Sequence, residues 1–216
     1  MRLWTAGLFL VLGAVVAHAG PKKTTEQLTW EWFNAGETYR RYKVKGPDDL
    51  KISTHYFHLA AKSGNSAAAY KVGEAYENGI GVKQDPAVAL DWYRVAAAAG
   101  DRHAELRIGW FYHKGITVPA DPAMAAQWYR RSADKDNIWA YHMLAFMLMD
   151  GEGVPQDRDL ARHYFEKSLP VTNDHWAKVK LARLIEESDP SRSLALLQQA
   201  ETAGNPEATK RLRDKR

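Results

Sequence analysis

The chain contains no cysteine, which excludes disulfide staples, thiolate nucleophiles, thiolate metal sites and a cysteine-linked lipid anchor. Long apolar runs are also lacking. The one continuous stretch, Leu8 to Ala17, is too short to span a bilayer comfortably. Its setting, after Arg2 and before Ala17-His18-Ala19, has the form of a cleavable export signal. A strong charge imbalance is missing too. The 30 lysines and arginines against 26 aspartates and glutamates leave +4, or +3 once residues 1–19 are removed, which points to no nucleic acid or other polyanion. These absences predict an exported protein, cleaved before Gly20, monomeric and without a later membrane span. Its expected location is the bacterial periplasm, with secretion to the outside as the alternative.

What the chain does contain is repetition. YENGIGVKQDPAVALDWYRVAAAAG, from Tyr76, returns 36 positions later, without a gap, as YHKGITVPADPAMAAQWYRRSADKD from Tyr112. One more step of that length brings LMDGEGVPQDRDLARHYFEKSL from Leu148, with Gly151, Gly153, Val154, Asp157, Ala161 and Tyr164-Phe165 in the same places. Three consecutive copies define a repeat architecture, in which outer copies drift because each has a neighbour on one side only. Upstream, Gly64, Ala60-Ala61 and Tyr56-Phe57 are the worn remains of such a copy, with Gly36 and Tyr39 echoing it one residue out of step. Downstream, DPSRSLALLQQAETAG from Asp189 matches the stretch from Asp85. The predicted organisation is a signal peptide at 1–19, a degenerate repeat at 20–65, full repeats at 66–101, 102–137 and 138–173, and a degenerate repeat with a capping helix at 174–216.

Each repeated letter has a folding reason. Ala68, Val72, Ala75 and Tyr76 share one face of a helix over about Ser66 to Glu77, by their spacing of three and four. Gly73, repeated at Gly109, weakens such a helix by about 1 kcal/mol relative to alanine, so close approach of a partner helix is expected there. Asn78-Gly79-Ile80-Gly81 stops the helix, and Val82 turns inward to plug the turn. Asp85-Pro86, repeated at Asp121-Pro122 and Asp189-Pro190, starts a second helix by capping free amides and placing proline where its missing N–H costs nothing. Ala89, Trp92, Tyr93, Ala96 and Ala97 then form its apolar stripe.

The pattern of small-x-x-x-Leu/Val-Gly-x-x-Tyr, Gly-x-Gly-Val, Asp, Ala-x-x-Trp-Tyr and Ala-Ala closely resembles the Sel-one-like repeat family, relatives of the tetratricopeptide repeats. The resemblance covers nearly all of the chain after residue 23. Departures are Thr117 for the second turn glycine, Ala145 for the helix glycine and Leu196-Leu197 for the aromatic pair. The resemblance implies an all-α fold, a right-handed α-solenoid of about five antiparallel helix hairpins. It also implies a binding scaffold, of a kind frequent in bacterial envelopes, secretion and signalling.

Ser132-Ala133-Asp134-Lys135 matches the Ser-x-x-Lys of penicillin-binding enzymes, but the Ser-Asp-Asn and Lys-Thr-Gly companions that chemistry needs are absent. His55 and His58 sit three apart on a predicted helix, short of the three or four ligands a metal requires. The basic tail, Lys210 to Arg216, suits the negative end of a last helix. No catalytic, cofactor or metal set results. On the first helix of each unit, the positions left free by the motif run Ala67, His103, Trp139; Lys71, Arg107, Met143; and Glu74, Trp110, Phe146. His103, Arg107, Trp110, Trp139 and Phe146 are therefore the candidate partner-binding residues, either as an aromatic, mildly cationic groove on the inner curve or as filling between hairpins. The expected function is a non-enzymatic adaptor for another envelope protein or peptide. The alternatives are a periplasmic restraint on a membrane sensor and a cell-wall or β-lactam hydrolase.

Overall fold

Asp85, Asp121 and Asp157, in extended backbone, and Asp189 each accept hydrogen bonds from free amides of the following turn, so each opens a helix. Asn65, Asp101, Asn137 and Asp174 do the same for the preceding helices of the respective pairs. The computed structural model describes residues 23–42 and 46–214. The expected export segment and cleavage site lie outside the described residues, as do Lys215 and Arg216 of the basic tail.

Eleven helices follow one another among the described residues, with no strand. They are α1 (Thr25–Tyr42), α2 (Pro47–Lys62), α3 (Ser66–Asn78), α4 (Pro86–Ala98), α5 (Arg102–Lys114), α6 (Pro122–Ala133), α7 (Ile138–Asp150), α8 (Arg158–Thr172), α9 (His175–Ile185), α10 (Pro190–Thr202) and α11 (Pro206–Asp214). Odd and even helices pair as hairpins from α1–α2 to α9–α10. The second (B) helix of each hairpin packs on the first (A) helix of the next, and α11 closes the end. The result is the expected right-handed α-solenoid. Its apolar interior runs along the stack in three clusters: one spans α2 to α5, a second α6 to α9, and a third joins α9, α10 and α11.

The helix glycines have a definite neighbour. A Cβ on Gly73 would lie 2.5 Å from the Tyr93 ring, and on Gly109 2.6 Å from the Tyr129 ring, while Gly36 stands under Phe57 in the same way. The close approach expected from the sequence is thus that of the aromatic ring from the partner helix. The turns are likewise uniform: Gly79, Gly115 and Gly151 end the A helices in the left-handed conformation. Thr117 keeps the left-handed backbone (φ 62) of its counterparts Gly81 (φ 70) and Gly153 (φ 68), despite its β-branch.

Candidate protein-binding face

The hairpin glycine sets a register for the A helices. Gly73, Gly109, Ala145 and Ala182 each lie eight residues after a helix-capping Asn65, Asp101, Asn137 or Asp174. Gly36 shares that register through its contact with Phe57. The last cap is Asp174, one residue later than a strict repeat of 36 predicts, because α8 runs to Thr172 and ends on Asn173 in left-handed backbone (φ 49). Six positions before the small residue then come Trp30, Ala67, His103, Trp139 and Trp176. The next position on the same stripe, one turn later, holds Lys71, Arg107, Met143 and Lys180, and the one after it Glu74, Trp110, Phe146 and Arg183. Trp176 and Trp30 escaped the sequence reading because the spacing changes by one residue at each end of the chain. The cap at Asp174 and the glycine at Gly36 were the signals that could have found them.

The five candidates do not form one patch. Trp139 is half exposed and His103 exposed, the latter with its ring 5.9 Å from Tyr70. Phe146 is half-buried, its ring 5.1 Å from both His142 and Phe165, and His142 in turn meets Trp139 at 6.3 Å. Trp110 packs against the upstream apolar cluster, with the Lys114 ammonium 4.9 Å over its ring. Arg107 is not a free cation. Its guanidinium binds the carboxylate of Glu77 on α3, which also accepts a 2.6 Å hydrogen bond from the Tyr93 hydroxyl. Burial opposes the charge on Arg107, but the Glu77 carboxylate outweighs it and the pKa is raised. The cationic character expected of this face is therefore largely neutralised at Arg107.

Ion pairs tie consecutive A helices along this side. Arg40 on α1 meets Glu74 on α3 at 3.2 Å, Arg107 meets Glu77, and Lys180 on α9 meets Asp150 on α7 at 2.9 Å. Burial acts to raise the Glu74 pKa, yet Lys71 and Arg40 prevail and lower it. The polar partner of the hairpin tyrosine also follows the repeat. Tyr93 donates to Glu77, and Tyr129 lies 3.4 Å from His113 at the equivalent position. In the next hairpin Phe165, with no hydroxyl, is matched by buried Met149.

The residues considered for chemistry serve the stack instead. Ser132 is buried and donates to the Arg102 carbonyl at 2.6 Å. Lys135 binds the Gly100 carbonyl at 3.0 Å and the fully buried Glu105 carboxylate at 2.9 Å, with Arg131 also beside Glu105. His58 lies edge-on to Trp92 and Tyr76, whereas His55 is exposed. Among the described residues no group of three or more His, Cys, Asp or Glu side chains is placed to hold a metal, and no helix is long and apolar enough to cross a membrane. In the tail, Leu212 is buried and Arg211 pairs with Glu207 and Glu186.

A stack of near-identical helix hairpins, each covering the apolar side of the last, defines an α-solenoid repeat protein. The Sel1 repeat profile matches residues 44–65, 66–101, 102–137, 140–169 and 184–205, and the chain belongs to the Sel1 repeat family. Sel1 repeats generally mediate protein–protein interaction. Among solved structures, the chain is similar to c5321, a protective antigen present in uropathogenic Escherichia coli strains, with 26% identity and a TM-score of 0.72 over 95% of this chain and 46% of that one. It thus spans less than half the length of that protein. A Sel1 repeat protein from Oxalobacter formigenes is 31% identical, with a TM-score of 0.66 over 81% of this chain and 72% of its own. The immunity protein Pa5087 from Pseudomonas aeruginosa shares the fold alone, at 18% identity and a TM-score of 0.51 over 88% of this chain and 70% of that one. No curated protein matches the chain by sequence.

Proposed function

We propose that the chain is a non-enzymatic scaffold of the bacterial periplasm whose A-helix side, the inner curve of the solenoid, holds another envelope protein. The observation that carries this reading is the pair of half-exposed tryptophans at one register of adjacent repeats, Trp139 and Trp176. Large rings left in water at the same place in successive hairpins are costly in a monomer and are the residue type that anchors partners. The ion pairs beside them fix the A helices relative to one another, so the anchors are presented on a rigid support and little order has to be gained on binding.

In-cell photocrosslinking from position 139 tests the proposal. It is expected to give a discrete adduct that disappears when Trp176 is changed to alanine, with the helical circular dichroism unchanged. Adducts that persist in the Trp176→Ala protein would remove the tryptophan pair as the anchor. The location has its own test, since protein recovered from the periplasmic fraction is expected to begin at Gly20.

A further inference from the structure

One buried histidine links the mounts of the two half-exposed tryptophans. His142, 7% exposed on α7, has its ring 6.3 Å from that of Trp139 and 5.1 Å from that of Phe146, edge-on to both. Its Nδ1 is 3.5 Å from the hydroxyl of Thr172, the last residue of α8. Its Nε2 is 3.9 Å from the carboxylate of Asp174, which caps α9 by accepting from the Ala177 amide at 2.7 Å. Trp176 stands in the first turn of α9, two residues after that cap. The side chain thus meets one tryptophan directly and, in the case of the other, the cap that starts its helix.

The joint around His142 is locally weak. Pro170 lacks the amide that would bond the Glu166 carbonyl in the last turn of α8. Only Asn173 and Asp174 separate the two helices, and Asn173 holds left-handed backbone (φ 49), which asparagine tolerates without preferring. Beyond this turn α9 is held by buried Val179, Leu181, Ala182 and Ile185, so its first turn can loosen while the rest stays packed. Among the described residues, Asp174 is the one charged group that acts on His142. The others nearby are engaged elsewhere: His175 with Asn205, Lys178 with Asn173, Lys180 with Asp150 and Lys135 with Glu105. Burial of His142 outweighs the Asp174 carboxylate, which lies beyond hydrogen-bond distance, and the imidazole is held neutral with a lowered pKa.

We infer that His142 is an acid-sensitive latch on the joint of α7, α8 and α9, whose protonation loosens the first turn of α9, unseats Trp176 and releases the partner. The release step rests on the reading of Trp139 and Trp176 as the anchor pair. An imidazolium between Phe146 and Trp139 has too little water and too distant a carboxylate, and opening the turn at Asn173 and Asp174 gives it solvent. Protons therefore favour the open joint. A partner that needs both rings on a rigid support favours the closed, neutral one, so protonation and binding oppose each other.

The test is hydrogen exchange by mass spectrometry on the purified chain at about pH 7 and about pH 5.5, corrected for intrinsic exchange rates. Amides at the end of α8 and in the first turn of α9 are expected to open up to about eightfold more at the lower pH, the ceiling for one group with an unfolded value of 6.5. The increase should vanish in His142→Gln. In Asp174→Asn, which keeps a capping side chain but loses the charge that favours the imidazolium, it should come closer to that ceiling. A cap with a merely structural role would instead shift both pH values alike. Acceleration spread evenly over all helices, its persistence in His142→Gln, or no enlargement in Asp174→Asn would each overturn the latch. The position-139 adduct is expected to weaken in cells held at about pH 5.5 and to be unaffected by pH in His142→Gln. An adduct independent of pH, with exchange changing as stated, would overturn the release step. If no adduct forms at either pH, the anchor pair falls and exchange alone decides the latch.

Discussion

Gly109 shows how far one missing methyl group can reach. A Cβ there would sit 2.6 Å from the Tyr129 ring and 3.2 Å from the Ala125 carbonyl, within a helix whose backbone alone would prefer alanine. Forced overpacking costs about 1–3 kcal/mol, and the gain in helix propensity recovers about 1 kcal/mol. Gly109→Ala is therefore expected to lower stability by up to about 2 kcal/mol, measured by urea unfolding. A stabilised variant would show that the ring moves aside without cost. At Ala145 the repeat itself has made this exchange, opposite Phe165 rather than a tyrosine, and has exchanged the polar partner for Met149. The glycines were legible in the sequence as weak points that a close approach had to explain. Their ring partners were not, since the ring comes from the other helix of the hairpin. The same holds for Arg107, whose type suggested a free cation and whose partner, Glu77, lies on another A helix.

At the scale of helices, the starts and stops were written locally: the Asp-Pro openings and the glycine stops involve residues within one turn of each other and need no tertiary contact. The one-residue shift before α9 was signalled only by the capping residue Asp174, because it depends on where α8 ends. Joints between helices carry two histidines whose titration affects the stack. His142 is buried on α7, beside Phe146, 3.5 Å from Thr172 on α8 and 3.9 Å from the Asp174 carboxylate that caps α9. Burial lowers its pKa, partly opposed by Asp174, and burial together with Lys62 and His55 lowers that of His58. A base held neutral in the fold binds fewer protons than in the unfolded chain. The stabilising contribution is thus complete above the unfolded value of 6.5 and is lost as pH falls from there through the lowered folded values. Melting temperature is expected to drop as pH falls from about 7 towards 5, and to drop less steeply in a His58→Gln, His142→Gln double variant. An equally steep fall in that variant would place the effect on other groups. Glu74 acts in a separate, more acidic window, because its lowered pKa is lost as a stabilising contribution only as pH falls below its ordinary value of 4.5.

For the molecule as a whole, stability is expected to be graded along the stack, since each hairpin is held chiefly by its neighbours. The helices from α6 to α9 share one large cluster with fully buried Tyr129, Leu144, Met147 and Phe165. By contrast, α11 buries only Ala208 and Leu212. Hydrogen exchange followed by mass spectrometry is expected to find the strongest protection over α6 to α9 and the weakest in α11, and uniform protection would refute the grading. The sequence by itself determined the repeat and its helices, and through them the family, because caps, turn residues and the spacing of apolar side chains act over a few residues. Only the tertiary structure decided which rings close the core and which face outward, because that depends on side chains from different hairpins meeting across the stack. Trp110 and Trp139 are the same residue type on successive A helices, but a shift of about two helical turns packs the first against the core and leaves half of the second in water.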